Sequence, residues 1–166
     1  MDENHRAALT IRSARADEGG YLSDLAMRSK AHWGYSREFM DACRDELTFS
    51  ALDVANPQHL FHVAELNGIV VGFSALRRVS LTEWELDALF VEPDVIRRGV
   101  GMALIENAKS TVRSRGADVL VIQGDPHAEG FYVAAGARRI GERESGSVAG
   151  RYLPLFSIAI CRNASK

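Results

Sequence analysis

The sequence predicts one α/β domain: a mixed, mostly antiparallel sheet with helices on its faces, in the order β-α-α-β-β-β-α-β-α-β-β. Three observations predict it. Asn67-Gly68 between two apolar runs is a strong hairpin signal, so part of the sheet is antiparallel. The apolar residues 86–91 stop at Pro93, and two arginines and two glycines precede a helical pattern, which reads as strand, loop, helix. A short apolar strand, residues 118–123, then leads to Asp125-Pro126, a helix cap followed by proline at the first helical position. Hairpins together with a β-α-β crossover require a mixed sheet.

Each element has its own signal. Residues 9–14 alternate and read as a first strand. Asp17 can cap a helix whose apolar positions include Tyr21, Leu22, Leu25 and Ala26. That pattern fades at His32-Trp33-Gly34-Tyr35, and Ser36 can cap a second helix carrying Phe39, Met40, Cys43 and Leu47 until Pro57 ends it. Residues 59–66 and 69–79 form the hairpin about Asn67-Gly68, and residues 81–91 are a third long strand, antiparallel to the second. Residues 101–115 are a helix with a stripe at Val100, Leu104, Ala108 and Val112, stopped by Gly116. The helix opened by Asp125 runs through Phe131-Tyr132 to Gly136. Residues 138–144 and 151–160 are the last two strands.

With 166 residues, 46% of them apolar, the chain reads as one domain over residues 1–166 with a core at about 9–160. A net charge of −2 gives no reason to expect nucleic acid as a partner. Cys43 and Cys161 have neither metal-like nor redox-like spacing and read as reduced thiols, no cluster has metal-ligand spacing, and no metal is expected. The first seven residues read as a loose polar tail without a signal sequence, and no apolar run approaches a membrane span. The expected location is cytoplasmic, with no membrane partner.

The loop at Arg97-Arg98-Gly99-Val100-Gly101 carries most of the functional information. Glycines let a backbone approach a ligand, and a helix start presents unpaired N–H donors with a partial positive charge, so the place suits phosphate. A dinucleotide fold would need a third glycine where Leu104 stands, and a Walker loop would need Gly-Lys-Ser/Thr, which the chain lacks.

From about residue 9 to 160, this order and these motifs resemble the GNAT acetyltransferase superfamily. Gly99 and Gly101 occupy the glycine positions of that family's Gln/Arg-x-x-Gly-x-Gly/Ala pattern, whereas Ile96 stands where Gln or Arg is usual. Ala128, Phe131, Tyr132 and Gly136 are similar to the family's late helix, with Asp125 in place of a common Asn. The resemblance implies a GNAT-like fold and acetyl transfer from acetyl-coenzyme A to a primary amine of a small molecule or peptide, by direct attack in a ternary complex. The runner-up is a coenzyme-A-binding regulatory module with little catalysis. A homodimer is left open, dimers being common among relatives.

The same resemblance assigns roles. Backbone N–H groups of Arg97, Arg98, Gly99, Val100, Gly101 and Met102 would cradle the pyrophosphate, and Leu89, Phe90 and Val91 would pair with the pantetheine arm as an added strand. An N–H near Leu89 would polarise the thioester carbonyl. Asp125 would contact the cofactor or serve only as a helix cap. Tyr132 would protonate the thiolate, the alternative being a tyrosine that only packs beside Phe131. Glu83, Glu85 and Asp87 share strand parity, so a regular strand shows them on one face, and a bulge could move one of them. Glu85 aligns with the base of the histone-acetylating branch. These acids could instead attract a cationic amine, or simply be solvated. Trp33 and Tyr35 would wall the substrate pocket or pack the helix junction. His62 and His127 read as structural or solvated.

Overall fold

The computed structural model describes residues 8–161; the tail read over residues 1–7 and the C-terminal Lys166 lie outside the described residues. The strands are β1 (Leu9–Ser13), β2 (His59–Leu66), β3 (Ile69–Arg78), β4 (Glu83–Val91), β5 (Val119–Gln123), β6 (Arg138–Glu144) and β7 (Tyr152–Ala159). They form one sheet in the order β1-β2-β3-β4-β5-β7-β6. Every neighbouring pair is antiparallel except β4 and β5. Asn67 (φ 53°) and Gly68 (φ 80°) make the β2–β3 turn, whose two left-handed residues match the twist of the strands it joins.

Among the described residues, five α-helices cover the sheet: α1 (Gly19–Ala31), α2 (Arg37–Cys43), α3 (Ala51–Ala55), α4 (Val100–Ser114) and α5 (Glu129–Ala134). Leu22 and Leu25 of α1, Cys43 of α2, Val54 of α3 and Leu47 between the last two bury Phe61, Val63, Phe73 and Ala75 on one face. On the other face, Ile105, Ala108 and Val112 of α4 pack with Tyr132 of α5 over Leu86, Leu120, Ile122 and Phe156. Strand alternation delivers apolar residues to both faces, as a sheet covered twice requires.

Several boundaries differ from the sequence reading. Asp17 does not cap α1. Residues Ala16–Glu18 form a 3-10 turn, because Glu18 accepts the Arg15 N–H at 2.8 Å and pairs with Arg12 at 2.7 Å, so α1 starts at Gly19. Hydrogen bonds from Arg12, stronger than the opposing burial, pull the Glu18 carboxyl down to about 2. A third helix, α3, was absent from the predicted order. Ser50 and Asp53 cap each other reciprocally and start it. The third long strand begins at Glu83, not residue 81, because the Ser80 hydroxyl accepts the N–H groups of Thr82 and Glu83 in a tight turn.

The pairing of β4 shapes the middle of the sheet. Parallel pairing of β4 with β5 covers only Glu83 to Leu86, opposite Val119 to Ile122. Beyond Leu86 the strands part. A bulge sits there too: Leu76 pairs with Leu86 and Ala75 with Ala88, so Asp87 has no partner on β3. Residues 88–91 thus keep β3 on one side and have an open backbone edge on the other.

Candidate functional site

The gap between the parted strands opens into a cavity of about 580 Å³. One wall is the free end of β4, running on to Ile96, Arg97, Gly99, Gly101 and Met102. Gly99 precedes α4 with φ 84°, and Arg97 holds φ 65°, a left-handed conformation that is strained for a side chain other than glycine. The N–H groups of Arg97, Gly99, Val100, Gly101 and Met102 have no hydrogen-bond partner among the described residues. They form a concentrated set of donors at the positive end of the fifteen-residue helix α4, Val100–Ser114. The side chain of Val100 is buried among Ala64, Val71, Val95 and Leu104, so only its N–H is on offer; Arg98 lies outside the cavity wall, and its N–H, expected in the cradle, instead donates to the Val95 carbonyl at 3.2 Å.

Tyr132 stands on the opposite wall, 6% exposed, brought in by α5. A β-carbon on Gly124 would lie 2.9 Å from its ring, so glycine there is what lets the ring pack against β5. Burial, assisted by the nearby charge of Asp125, pushes the Tyr132 phenol well above its ordinary range, so it is a protonated donor at neutral pH.

The acidic residues of β4 separate. Glu85 and Asp87 line the cavity, whereas Glu83 sits at the paired end of the strand opposite Val119 and is not part of its wall. Glu85 is 8% exposed, and each oxygen is already engaged: Oε2 accepts from Arg77 at 3.0 Å, Oε1 from Arg143 at 2.7 Å. Asp87 pairs with Arg77 at 3.3 Å and lies 3.2 Å from His59. Burial opposes its charge, but His59 and Arg77 outweigh that and hold the Asp87 carboxyl below its usual range. A side recess of about 270 Å³, lined by Glu46, Asp53, His59 and Asp87, adjoins the cavity at Glu46, Phe49 and Asp87.

Asp125 is the centre of a larger cluster. It caps the 3-10 turn Pro126–Ala128 by accepting the His127 N–H at 3.0 Å. Its Oδ2 accepts the Tyr35 hydroxyl at 2.7 Å and lies 3.6 Å from Lys30 and 3.7 Å from Arg151. Arg151 donates to the Tyr35 oxygen at 2.9 Å and lies over the Phe39 ring. Trp33 stacks on His127 with centroids 5.0 Å apart. Burial disfavours the Asp125 charge, but the hydrogen bonds from His127 and Tyr35 and the charge of Lys30 outweigh it, and the carboxyl is held below its usual range. Burial and the Asp125 hydrogen bond raise the Tyr35 phenol to about 12. The cluster ties the α1–α2 connection to the start of α5 across one end of the cavity.

The structure thus brings Tyr132, Glu85, Asp87, Trp33 and Asp125 to one cavity with the residue 89–91 edge and the glycine loop. Tyr35 joins them through Asp125 without lining the wall, and Glu83 stays outside. Lys30, Glu46, Phe49, His127 and Arg151 escaped the sequence reading as site residues. Only His127 left a local trace, as the second residue after a capping aspartate, a spacing at which ring and carboxylate can meet. Among the described residues, no three His, Cys, Asp or Glu side chains converge to hold a metal, and no helix is long and apolar enough to cross a membrane.

A mixed sheet parted between a parallel strand pair, with a glycine-rich helix start at the parting, defines a GNAT-type fold. Comparison with known proteins agrees: the acetyltransferase (GNAT) domain profile matches residues 34–147, and the chain belongs to this family of acetyltransferase enzymes. It is 29% identical over 151 residues to a peptidyl-lysine N-acetyltransferase, YjaB, of Salmonella typhimurium strain LT2, covering 90% of this chain and 97% of the relative. Among solved structures, it resembles the PaiA N-acetyltransferase of Thermoplasma acidophilum in complex with coenzyme A (TM-score 0.73, 18% identity, 92% of this chain and 99% of the other). It likewise resembles a GCN5-related N-acetyltransferase from Rhodopseudomonas palustris (TM-score 0.76, 21% identity, 92% and 96%).

Proposed function

We propose that this chain transfers the acetyl group of acetyl-coenzyme A to a primary amine, with the side-chain amine of a peptide lysine as the first acceptor to test. The observation that carries the reading is the open edge of residues 88–91, which leads from a cradle of free N–H groups to the phenol of Tyr132 within one cavity. The residues fit the cosubstrate. The N–H set of Arg97 and residues 99–102 suits a pyrophosphate without help from a side chain at Ile96. The unpaired edge at Leu89, Phe90 and Val91 suits an amide-bearing arm added as a strand. An N–H near Leu89 would meet the oxygen that gains charge during acyl transfer. Tyr132, kept protonated by burial, would give its proton to the departing sulfur.

The acceptor side has the character of a cation site. Glu85 and Asp87 are balanced by Arg77 and Arg143, but Glu46 and Asp53 add negative charge at the side recess. Trp33 and Phe49 supply apolar wall for a methylene stem. The peptidyl-lysine activity named for the Salmonella relative supports a lysine acceptor over other amines. The test is thiol release from acetyl-coenzyme A against a panel holding a blocked lysine peptide, a diamine, an aminoglycoside and a free α-amine peptide. The reading expects saturable release with at least one. Tight acetyl-coenzyme A binding with no release from any would replace the enzyme with a coenzyme-A-binding module.

A further inference from the structure

We infer that the imidazole of His127 is the general base that takes the proton from the acceptor amine. The inference rests on the acetyltransferase reading above. His127 sits in the turn after β5 and lines the same cavity as Tyr132 and the open end of β4. Its Nδ1 lies 2.8 Å from Asp125 Oδ1. Asp125, held ionised, can only accept a hydrogen bond, so Nδ1 carries the hydrogen and the lone pair of the neutral ring is on Nε2. Tyr35 lies 3.2 Å from the same Nδ1 but spends its own hydrogen on Asp125 Oδ2 at 2.7 Å, so it does not compete for the tautomer. Nε2 has no hydrogen-bond partner among the described residues. Trp33 stacks on the ring at an interplanar angle of 10°. One nitrogen is thus pinned by a carboxylate, one ring face is covered, and the other nitrogen is left to act.

The charged and titratable groups around the ring are Asp125 and Tyr35 in direct contact, and Lys30 and Arg151 behind them on Asp125 Oδ2. The two cations share the aspartate's charge, so the carboxylate serves the ring mainly by orienting it. Glu85, the carboxylate that the family resemblance offers for this task, already accepts from two cations, Arg77 and Arg143. Among the described residues, His127 Nε2 has no partner to share its lone pair with.

The ammonium of the acceptor gives a proton to Nε2, and its freed lone pair forms a C–N bond to the thioester carbonyl carbon. The carbonyl π pair moves to oxygen and returns as the C–S bond breaks. Sulfur takes the Tyr132 proton, the phenolate recovers the remaining extra proton from the new amide nitrogen, and the imidazolium releases its proton to water. Ammonium and thioester become amide, thiol and one proton.

The experiment uses the full chain with acetyl-coenzyme A and the blocked lysine peptide or, failing release with it, whichever panel amine the wild type accepts. His127→Ala should lose roughly 10²- to 10³-fold in kcat, the range general-base catalysis supplies, while acetyl-coenzyme A affinity by calorimetry stays within about twofold. Added imidazole should restore turnover, increasingly as its unprotonated fraction grows. His127→Asn retains a donor toward Asp125 but has no Nε2, and it should show the same loss with an unchanged melting temperature. Glu85→Gln should keep the wild-type pH–rate profile, whereas both His127 variants should lose its acidic limb. Turnover of His127→Ala within about threefold of wild type, or a loss that imidazole does not rescue, overturns the assignment and leaves the acetyltransferase reading standing. A wild type inactive on every amine overturns both.

Discussion

The cavity's two halves are built in different ways. The half under β4 and α4 is made of backbone: an open strand edge, a left-handed Gly99 and a run of free N–H groups, all within residues 87–102. The half under the α1–α2 connection is made of side chains from Lys30, Trp33, Tyr35, Asp125, His127 and Arg151, drawn from three separate parts of the chain. On the proposed reading, backbone donors recognise the phosphate and amide groups of one shared cosubstrate. Side chains can be exchanged without disturbing the sheet, so on that reading the second half is where acceptor choice varies. On this division, changes in the first half should act on acetyl-coenzyme A and changes in the second on the amine, with Tyr132 between them acting on turnover alone.

Tyr132→Phe is the largest test of the boundary. It removes the hydroxyl proposed as proton donor while keeping the ring that packs against Phe156. We expect kcat to fall by roughly 10²- to 10³-fold with acetyl-coenzyme A affinity within about twofold. A fall in affinity with turnover preserved would move Tyr132 into the cosubstrate's binding wall. Next is Gly101→Val. A β-carbon there already lies 3.2 Å from the Phe131 ring, so the branched side chain must displace that ring beside the N–H cradle. Acetyl-coenzyme A should bind about thirtyfold more weakly, about 2 kcal/mol, as calorimetry would measure, while the acceptor KM at saturating cosubstrate barely moves. Equal damage to both constants would mean that the halves are not separable.

The same division explains what could be read from the sequence. The first half was legible because its signals are local: apolar strand, proline, two glycines and a helical stripe follow one another within about twenty residues. The parting of β4 and β5 was implied only through the fold that the motifs resemble, since no residue near Leu86 announces where pairing ends. Helix α3 was missed because its Ser50–Asp53 cap lies just beyond a helical stripe carried through Leu47. Glu85 was singled out by strand parity and family position. Arg77 could have been found opposite it from the hairpin register, but Arg143 arrives from β6, which no local pattern links to β4. His127 looked like an ordinary first-turn residue until Trp33 and Tyr35 were placed against it. Contacts between distant segments are set by packing, and a linear pattern does not record them.

The acceptor half can be probed at smaller scale through Arg151, which braces Tyr35 and Asp125 from the β6–β7 connection. Arg151→Ala should raise the acceptor KM about tenfold, with acetyl-coenzyme A affinity kept, because Tyr35 and the stacked Trp33 lose their brace. No change in the acceptor KM would mean that the cluster supports the fold without shaping the pocket.

The last test asks whether this half depends on charge as the first does not. The folded-state carboxyl of Asp125 lies below its usual value of 3.8. A depressed carboxyl contributes stability that is present above the unfolded value and is lost as pH falls through the folded one. The difference in urea stability between wild type and Asp125→Asn should therefore be at its full size from about pH 5 upward and shrink below pH 3.8. Its full size should be about 1 kcal/mol, the net worth of the hydrogen bonds an amide cannot replace. A parallel comparison of wild type with Gly101→Val should show a difference that does not change over the same interval, since no titrating group holds the N–H cradle. If both differences shrink together on acidification, the two halves share an electrostatic support, and the separation of backbone from side-chain recognition fails.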